Sequence, residues 1–223
     1  MKNIFINYFR KAAYLFVLTG FISVSAGSYE DFFEYIKRDN GSGISQLLAR
    51  GFDPNTLNPD GQHGLYLALQ EPSLKAAQVL ADWPKTDVNK LNAKGESALM
   101  IAALRGHQDI VVKLVKKDAD VNKTGWTPLH YAASSGHIEI MSFLLENHAY
   151  IDAESPNKTT PLMMAAQYSN AAAVKFLLEA GADATLKNQQ GLTAIQFAQR
   201  ASRTDSIELI TGYVRRSRST GKW

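Results

Sequence analysis

The stretch Thr127-Pro128-Leu129-His130-Tyr131-Ala132-Ala133-Ser134-Ser135-Gly136-His137 decides the fold, because it comes back along the chain. Ser97-Ala98-Leu99-Met100-Ile101-Ala102-Ala103-Leu104-Arg105-Gly106-His107 keeps the whole frame. Thr160-Pro161-Leu162-Met163-Met164-Ala165-Ala166 keeps the first half, and Thr193-Ala194-Ile195-Gln196-Phe197-Ala198 a fainter trace. The residue two before each opening Ser or Thr, and before His63 in the second repeat, marks the repeat. It falls at Gly61, Gly95, Gly125, Lys158 and Gly191, at intervals of 34, 30, 33 and 33 residues. Repetition at such a period is the mark of a solenoid, in which each unit buries the apolar face of its neighbour.

The local chemistry agrees. Thr127 is a helix cap, and Pro128 in the first turn gives up a donor that the helix does not use. Leu129, Ala132 and Ala133 then lie on adjoining sides of a short helix, and the paired alanines let a neighbouring helix approach closely. Gly136 turns the chain at the helix end. A second helix follows, apolar at Ile138, Ile140, Met141, Phe143, Leu144 and Leu145. That is more apolar surface than a lone helical hairpin can hide, so the next repeat must cover it. The same second helix recurs at Ile110-Val111-Val112-Lys113-Leu114-Val115 and Val174-Lys175-Phe176-Leu177-Leu178.

Each second helix ends in a related coda: Asp87-Val88-Asn89, Ala119-Asp120-Val121-Asn122, Ala149-Tyr150-Ile151-Asp152 and Ala182-Asp183-Ala184-Thr185. Phrase and coda in matched register resemble the ankyrin family over roughly residues 29–214, and the repeat that starts at Gly125 is the one near consensus. The resemblance implies an all-α solenoid of stacked helix-turn-helix repeats with projecting β-turn fingers. The expected division is an N-terminal cap repeat over 27–60, repeats over 61–94, 95–124, 125–157 and 158–190, a C-terminal cap repeat over 191–214 and a basic flexible tail over 215–223. Terminal repeats of a solenoid are atypical because one side faces water. The N-terminal cap accordingly lacks the phrase and offers helices around Phe32–Lys37 and Ile44–Leu48.

Two departures stand out. The link from Asn122 to Gly125 is three residues shorter than that from Asn89 to Gly95, so its finger should be stunted. In the second repeat Gly61-Gln62-His63-Gly64-Leu65 carries the phrase poorly and Glu71-Pro72-Ser73 replaces the glycine turn, which predicts a unit set differently from its neighbours.

Residues 1–26 have another character. Lys2, Arg10 and Lys11 precede an apolar run from Ala12 to Val24, and Val24-Ser25-Ala26 supplies small residues at its end. This is the pattern of a secretory signal peptide cleaved after Ala26. The alternative, an uncleaved anchor, has a run short of the roughly 20 residues a span needs. A periplasmic location is expected, with a secreted or membrane-anchored protein as the alternative. The formal charge of +3 comes from this leader, which holds three basic groups and no acid. Beyond it 21 basic groups face 21 acidic ones, and Arg215, Arg216, Arg218 and Lys222 belong to the tail. A mildly acidic array with a short basic end is not a nucleic-acid binder. The chain has no cysteine, so its core must hold without disulfides.

No catalytic constellation, cofactor site or metal site emerges. His63, His107, His130, His137 and His148 lack zinc-ligand spacing, and there is no nucleophile elbow or phosphate-cradling glycine loop. The resemblance gives His130 and His137 a structural role in tying turns and loops. Asp118, Asp120 and Asp152 stand in or beside codas, where aspartate bonds turn backbone. Met100 and Met163, at the His130 position, read as packing. The expected activity is binding of another protein by a monomer, without catalysis, through the concave face and finger tips. The alternative is an inhibitor or immunity-type protein that blocks one toxin or periplasmic enzyme. Mapping the family's variable positions gives Glu96, Leu104, Arg105, Trp126, Ser134, Ser135, Tyr168 and Leu192 as contact candidates, with Tyr131 among them. Exposed aromatic and apolar groups beside charges make hot spots. Trp126 either stays exposed or folds down into the gap left by the short finger.

Overall fold

The computed structural model describes residues 27–220. The leader assigned to residues 1–26 and the last three residues of the tail lie outside the described residues. The rest is a stack of helix pairs: α1 (27–37) with α2 (Gly41–Ala49), α3 (Gly64–Gln70) with α4 (Leu74–Asp82), α5 (Ala98–Arg105) with α6 (Gln108–Lys116), α7 (Pro128–Ser135) with α8 (Ile138–Glu146), α9 (Pro161–Tyr168) with α10 (Ala171–Glu179), and α11 (Ala194–Arg200) with α12 (Thr204–Thr220). The odd-numbered helices from α3 to α11 pack on one another in succession, more closely than the even-numbered ones between α4 and α8 do. Ala102, Ala103, Ala132, Ala133, Ala165, Ala166 and Ala198 permit that closeness, all with no exposed surface. One core runs the length of the stack and takes in Leu80, Leu114, Leu144 and Leu177 of the outer helices.

The phrase closes its helices as its chemistry requires. In α7 the Nδ1 of His130 accepts the backbone N–H of Thr127 at 3.2 Å, and the Thr127 hydroxyl lies 2.9 Å from the same nitrogen. With Nδ1 accepting, Nε2 carries the proton and donates to Thr159 O at 2.8 Å, across to the next finger. Met100 and Met163 set their sulfurs against Ser97 N and Thr160 N, and Gln196 sets its Oε1 against Thr193 N. Gly136 ends α7 in the left-handed region, φ 76°, and Gly106 ends α5 likewise.

The second repeat joins the same stack, but its inner helix α3 lies less closely on α5 than the later inner helices lie on one another, in line with its irregular phrase. His63 stands where the other repeats have Ser or Thr. Its Nδ1 accepts Tyr66 N–H and its Nε2 donates to Lys90 O at 3.0 Å, so one ring both caps α3 and ties the next finger. Lys117 of the third repeat donates to Ala81 O and Trp83 O and so closes the end of α4.

The codas form a ladder along the back of the stack. Asn55 donates to Lys85 O and accepts from Asp87 N; Asn89 donates to Asp118 O and accepts from Asp120 N; Asn122 donates to His148 O and accepts from Tyr150 N. At the next rung Asp152 can only accept, from Asp183 N.

Helix α12 continues through Thr220, so the first residues of the expected tail, 215–220, are helical. No proline interrupts this segment, and Arg215 and Arg216 lie toward the C-terminal end of the helix, where positive charge suits the helix dipole.

Candidate partner-binding face

The fingers are short turns rather than sheet. Asn58, Asn92, Ser155 and Asn188 each start one, with backbone bonds to Gln62, Glu96, Thr159 and Leu192 at 2.8–3.0 Å. Asn58, Asn92 and Asn188 also accept two N–H groups of their own turn through Oδ1. No such turn bonds join residues 122–126. Three residues are missing there and the finger is stunted as expected. Fingers five and six are tied directly, Gln189 N to Asn157 O and Gln189 Nε2 to Pro156 O.

The candidate residues divide into two rows. Glu96, Trp126, Tyr131 and Leu192 lie at the finger end of the inner helices, and Leu104, Arg105, Ser134, Ser135 and Tyr168 at the turn end. An inner helix of eight residues sets the rows about 12 Å apart. Tyr168 is 57% exposed and Arg105 and Ser135 are exposed, while Leu104 and Ser134 are half-buried. Leu192 packs against the core. Trp126 is half-buried, lies outside the apolar core and meets His130 edge-on with ring centroids 5.2 Å apart. It leans on the first turn of its own helix and keeps an open side.

Glu96 and Tyr131 hold each other. Glu96 Oε2 accepts from Tyr66 Oη at 2.7 Å and from Asn92 Nδ2 at 2.8 Å, and Oε1 accepts from Tyr131 Oη at 3.0 Å. One carboxylate thus clamps α3 to α7 across the intervening repeat. Burial works against its charge, but the hydrogen bonds from Asn92, Tyr66 and Tyr131, together with the nearby positive charge of Lys94, outweigh that and hold its pKa below the ordinary glutamate value. Burial and the bond to Glu96 push Tyr66 up to about 12, and Tyr131 rises for the same reasons. Tyr66 is the member that sequence reasoning missed. Its signal was a phenol in the first turn of an inner helix, one repeat before an acid.

The turn row is braced from the following repeats. Arg105 reaches Gln70 O at 3.3 Å, His137 reaches Leu104 O at 3.1 Å, and Arg203 reaches Tyr168 O at 3.2 Å. The Gln70 carbonyl accepts from Arg105, whereas His107, unlike His137, leaves its Nε2 buried without a partner. His130 and His63 are held near pKa 4 by burial and so stay neutral. Asp120 accepts Asn122 N and Asp152 accepts Asp183 N, so both bond coda backbone. Among the described residues no three His, Asp or Glu side chains stand close enough to hold a metal ion, and no helix is long and apolar enough to cross a membrane.

A family profile for ankyrin repeats in three copies matches residues 33–124 and 65–155, and one for many copies matches residues 149–198. The chain belongs to the ankyrin-repeat family. Among curated relatives, it is 31% identical over 158 residues to the human transient receptor potential cation channel subfamily A member 1, covering 66% of this chain and 14% of the relative. It is 37% identical over 127 residues to human BCL-6 corepressor-like protein 1, covering 55% and 7%, and 28% identical over 183 residues to the mouse B-cell lymphoma 3 protein homolog, covering 79% and 40%. The chain therefore spans less than half the length of these relatives. Among solved structures, the human ASB11 ankyrin repeat domain superposes with a TM-score of 0.73 at 29% identity, with 82% of each chain covered. A chain of the complex between a predatory endopeptidase from Bdellovibrio bacteriovorus and an immunity protein superposes with a TM-score of 0.71 at 24% identity, covering 82% and 97%. Ankyrin repeats mediate protein–protein contact, and this stack has the fold for it.

Proposed function

We propose that this ankyrin stack is a non-catalytic binding protein whose concave side grips one folded protein, with Leu104, Trp126 and Tyr168 as anchors. One observation carries the reading: these three side chains sit on consecutive inner helices or their finger roots, outside the closed core, with Tyr168 57% exposed. Apolar and aromatic groups held open on a rigid scaffold are what interface hot spots are built from. The leader character of residues 1–26 supports export, and with it a contact made in the periplasm.

Affinity capture from a periplasmic extract tests the reading, with the wild-type bait beside L104A/W126A/Y168A. None of the three residues belongs to the core, so the variant is expected to keep its helical circular dichroism and melting profile. A partner held by the wild type and lost by the variant supports the concave face. A partner retained by both overturns it. Inhibition of one enzyme is the narrower form of this reading, and a captured hydrolase silenced at one-to-one stoichiometry would select it. Export is tested separately. A mature N-terminus at Gly27 supports it, and an unprocessed chain in the cytoplasmic fraction removes it.

A further inference from the structure

The finger row has a charge of its own. From the third repeat to the sixth it presents Lys90, Lys94, Lys123, Lys158 and Lys187. Lys94, Lys158 and Lys187 are exposed and the other two are half-buried. Among the described residues, Lys158 is the one of these that forms an ion pair, with Glu154 at 3.6 Å. Lys123 instead turns its Nζ to the Thr124 carbonyl, beside Gly95 of the preceding finger. The acids nearest this row are already engaged. Glu96 is hydrogen-bonded by two tyrosines and Asn92, and of the lysines in the row it is Lys94 whose charge it feels. The coda residues Asp87, Asp120 and Asp183 accept backbone N–H groups of their own turns. Lys158 also occupies a left-handed position, φ 61°, where Gly61, Gly95, Gly125 and Gly191 mark the other repeats. Glycine would adopt that conformation more easily than lysine. This basic row belongs to an array in which acids outnumber bases overall.

The stunted finger interrupts the row with Trp126 at its root. We propose that the partner meets the finger row of repeats three to six with a carboxylate-rich polypeptide segment, whose apolar side chain rests on Trp126 in the gap left by the missing finger residues. This rests on the protein-binding reading above and names the chemistry of what is bound. Like-signed lysines spaced one repeat apart match an extended acidic segment. The apolar ring between them gives that segment a register that charge alone would not.

The test uses fluorescein-labelled poly-L-glutamate, a random copolymer of glutamate and phenylalanine, poly-L-lysine and a DNA duplex as probes. Fluorescence anisotropy is read at low and at physiological salt. The proteins are the wild type, K94E/K123E/K187E, the control K37E/K75E/K116E and W126A. The control makes the same charge change on exposed lysines of α1, α4 and α6, away from the fingers. Expected results are binding of both glutamate polymers with a preference for the aromatic copolymer, a loss of about tenfold or more in K94E/K123E/K187E, little change in the control, and loss of the copolymer preference in W126A. Equal weakening by both lysine variants would make this a net-charge effect and overturn the proposal. So would tighter binding of the DNA duplex, or no binding of either glutamate polymer. A partner captured as described above whose affinity survives K94E/K123E/K187E removes this inference and leaves the protein-binding reading standing.

Discussion

Replacing Tyr66 by Phe deletes one hydroxyl and tests whether the Glu96 clamp joins three repeats. Tyr66 is 4% exposed and its hydroxyl donates to Glu96 at 2.7 Å, so water has little access to replace the lost partner. A hydrogen bond to a charged group contributes about 1.5–3 kcal/mol. Glu96 is half-buried and keeps Asn92 and Tyr131, which puts the expected cost of Y66F at the low end, about 1.5 kcal/mol. E96Q keeps the shape and an acceptor but loses the charge, and should cost a similar amount. The decisive measurement is the double-mutant cycle in urea, followed by far-UV circular dichroism. If both changes break one interaction, Y66F/E96Q should cost less than the sum of its parts by at least about 1 kcal/mol. Additivity within about 0.5 kcal/mol would refute the clamp. The pH dependence has a definite sign. The pKa of Glu96 is depressed on folding, so its stabilisation is full above the ordinary value of 4.5 and is lost as the pH falls below it. The gap between wild type and E96Q should therefore narrow in acid and hold steady toward neutrality.

Other expectations follow from single sites. Leu144 has no exposed surface, so Leu144→Ala should cost about 2–5 kcal/mol in chemical denaturation, and a cost below about 0.5 would mean that α8 does not pack as described. His130 is held near pKa 4 against an ordinary 6.5, so it resists the protonation that the unfolded chain accepts. Stability should fall as the pH drops from 6.5 toward 4, and His130→Gln, which copies the cap that Gln196 already makes in the sixth repeat, should flatten that fall in thermal melts across the range. Asp152→Asn should stabilise by about 0.5–1.5 kcal/mol, because asparagine at that rung can donate to the following coda as Asn122 does and removes a carboxylate whose pKa is raised by burial and by Asp183. An unchanged or lower melting temperature for D152N would count against the ladder.

The helices, their caps and the core are legible in the sequence because the information is local. Thr127, Pro128, Gly136 and the spacing of Ile140, Leu144 and their equivalents act within a few residues of one another. The clamp is not legible because its bonds join Glu96 to residues 30 and 35 positions away, and no single repeat displays it. The second repeat looks irregular in sequence because His63 stands in a phrase that elsewhere begins with Ser or Thr. An imidazole can accept at one nitrogen and donate at the other, and so does the work that Thr127 and His130 share. The end of α12 escapes sequence reading because apolar periodicity stops near Val214. A helix already nucleated by packing continues into polar sequence when nothing there breaks it. The sequence leaves Trp126 open between two settings, and the structure gives it both characters, a ring edge against His130 and an open side.

The asparagine ladder behind the fingers has a consequence for how such a chain tolerates change. Its rungs fix the spacing of successive repeats through Asn55, Asn89 and Asn122, before any finger begins. Alignment of the stack is therefore set upstream of the finger, and the three residues missing before Gly125 leave α7 in place. Length is free to vary at that one point in each unit. A foreign loop grafted between Lys123 and Gly125 should be displayed in the finger row without disturbing the helices that carry it.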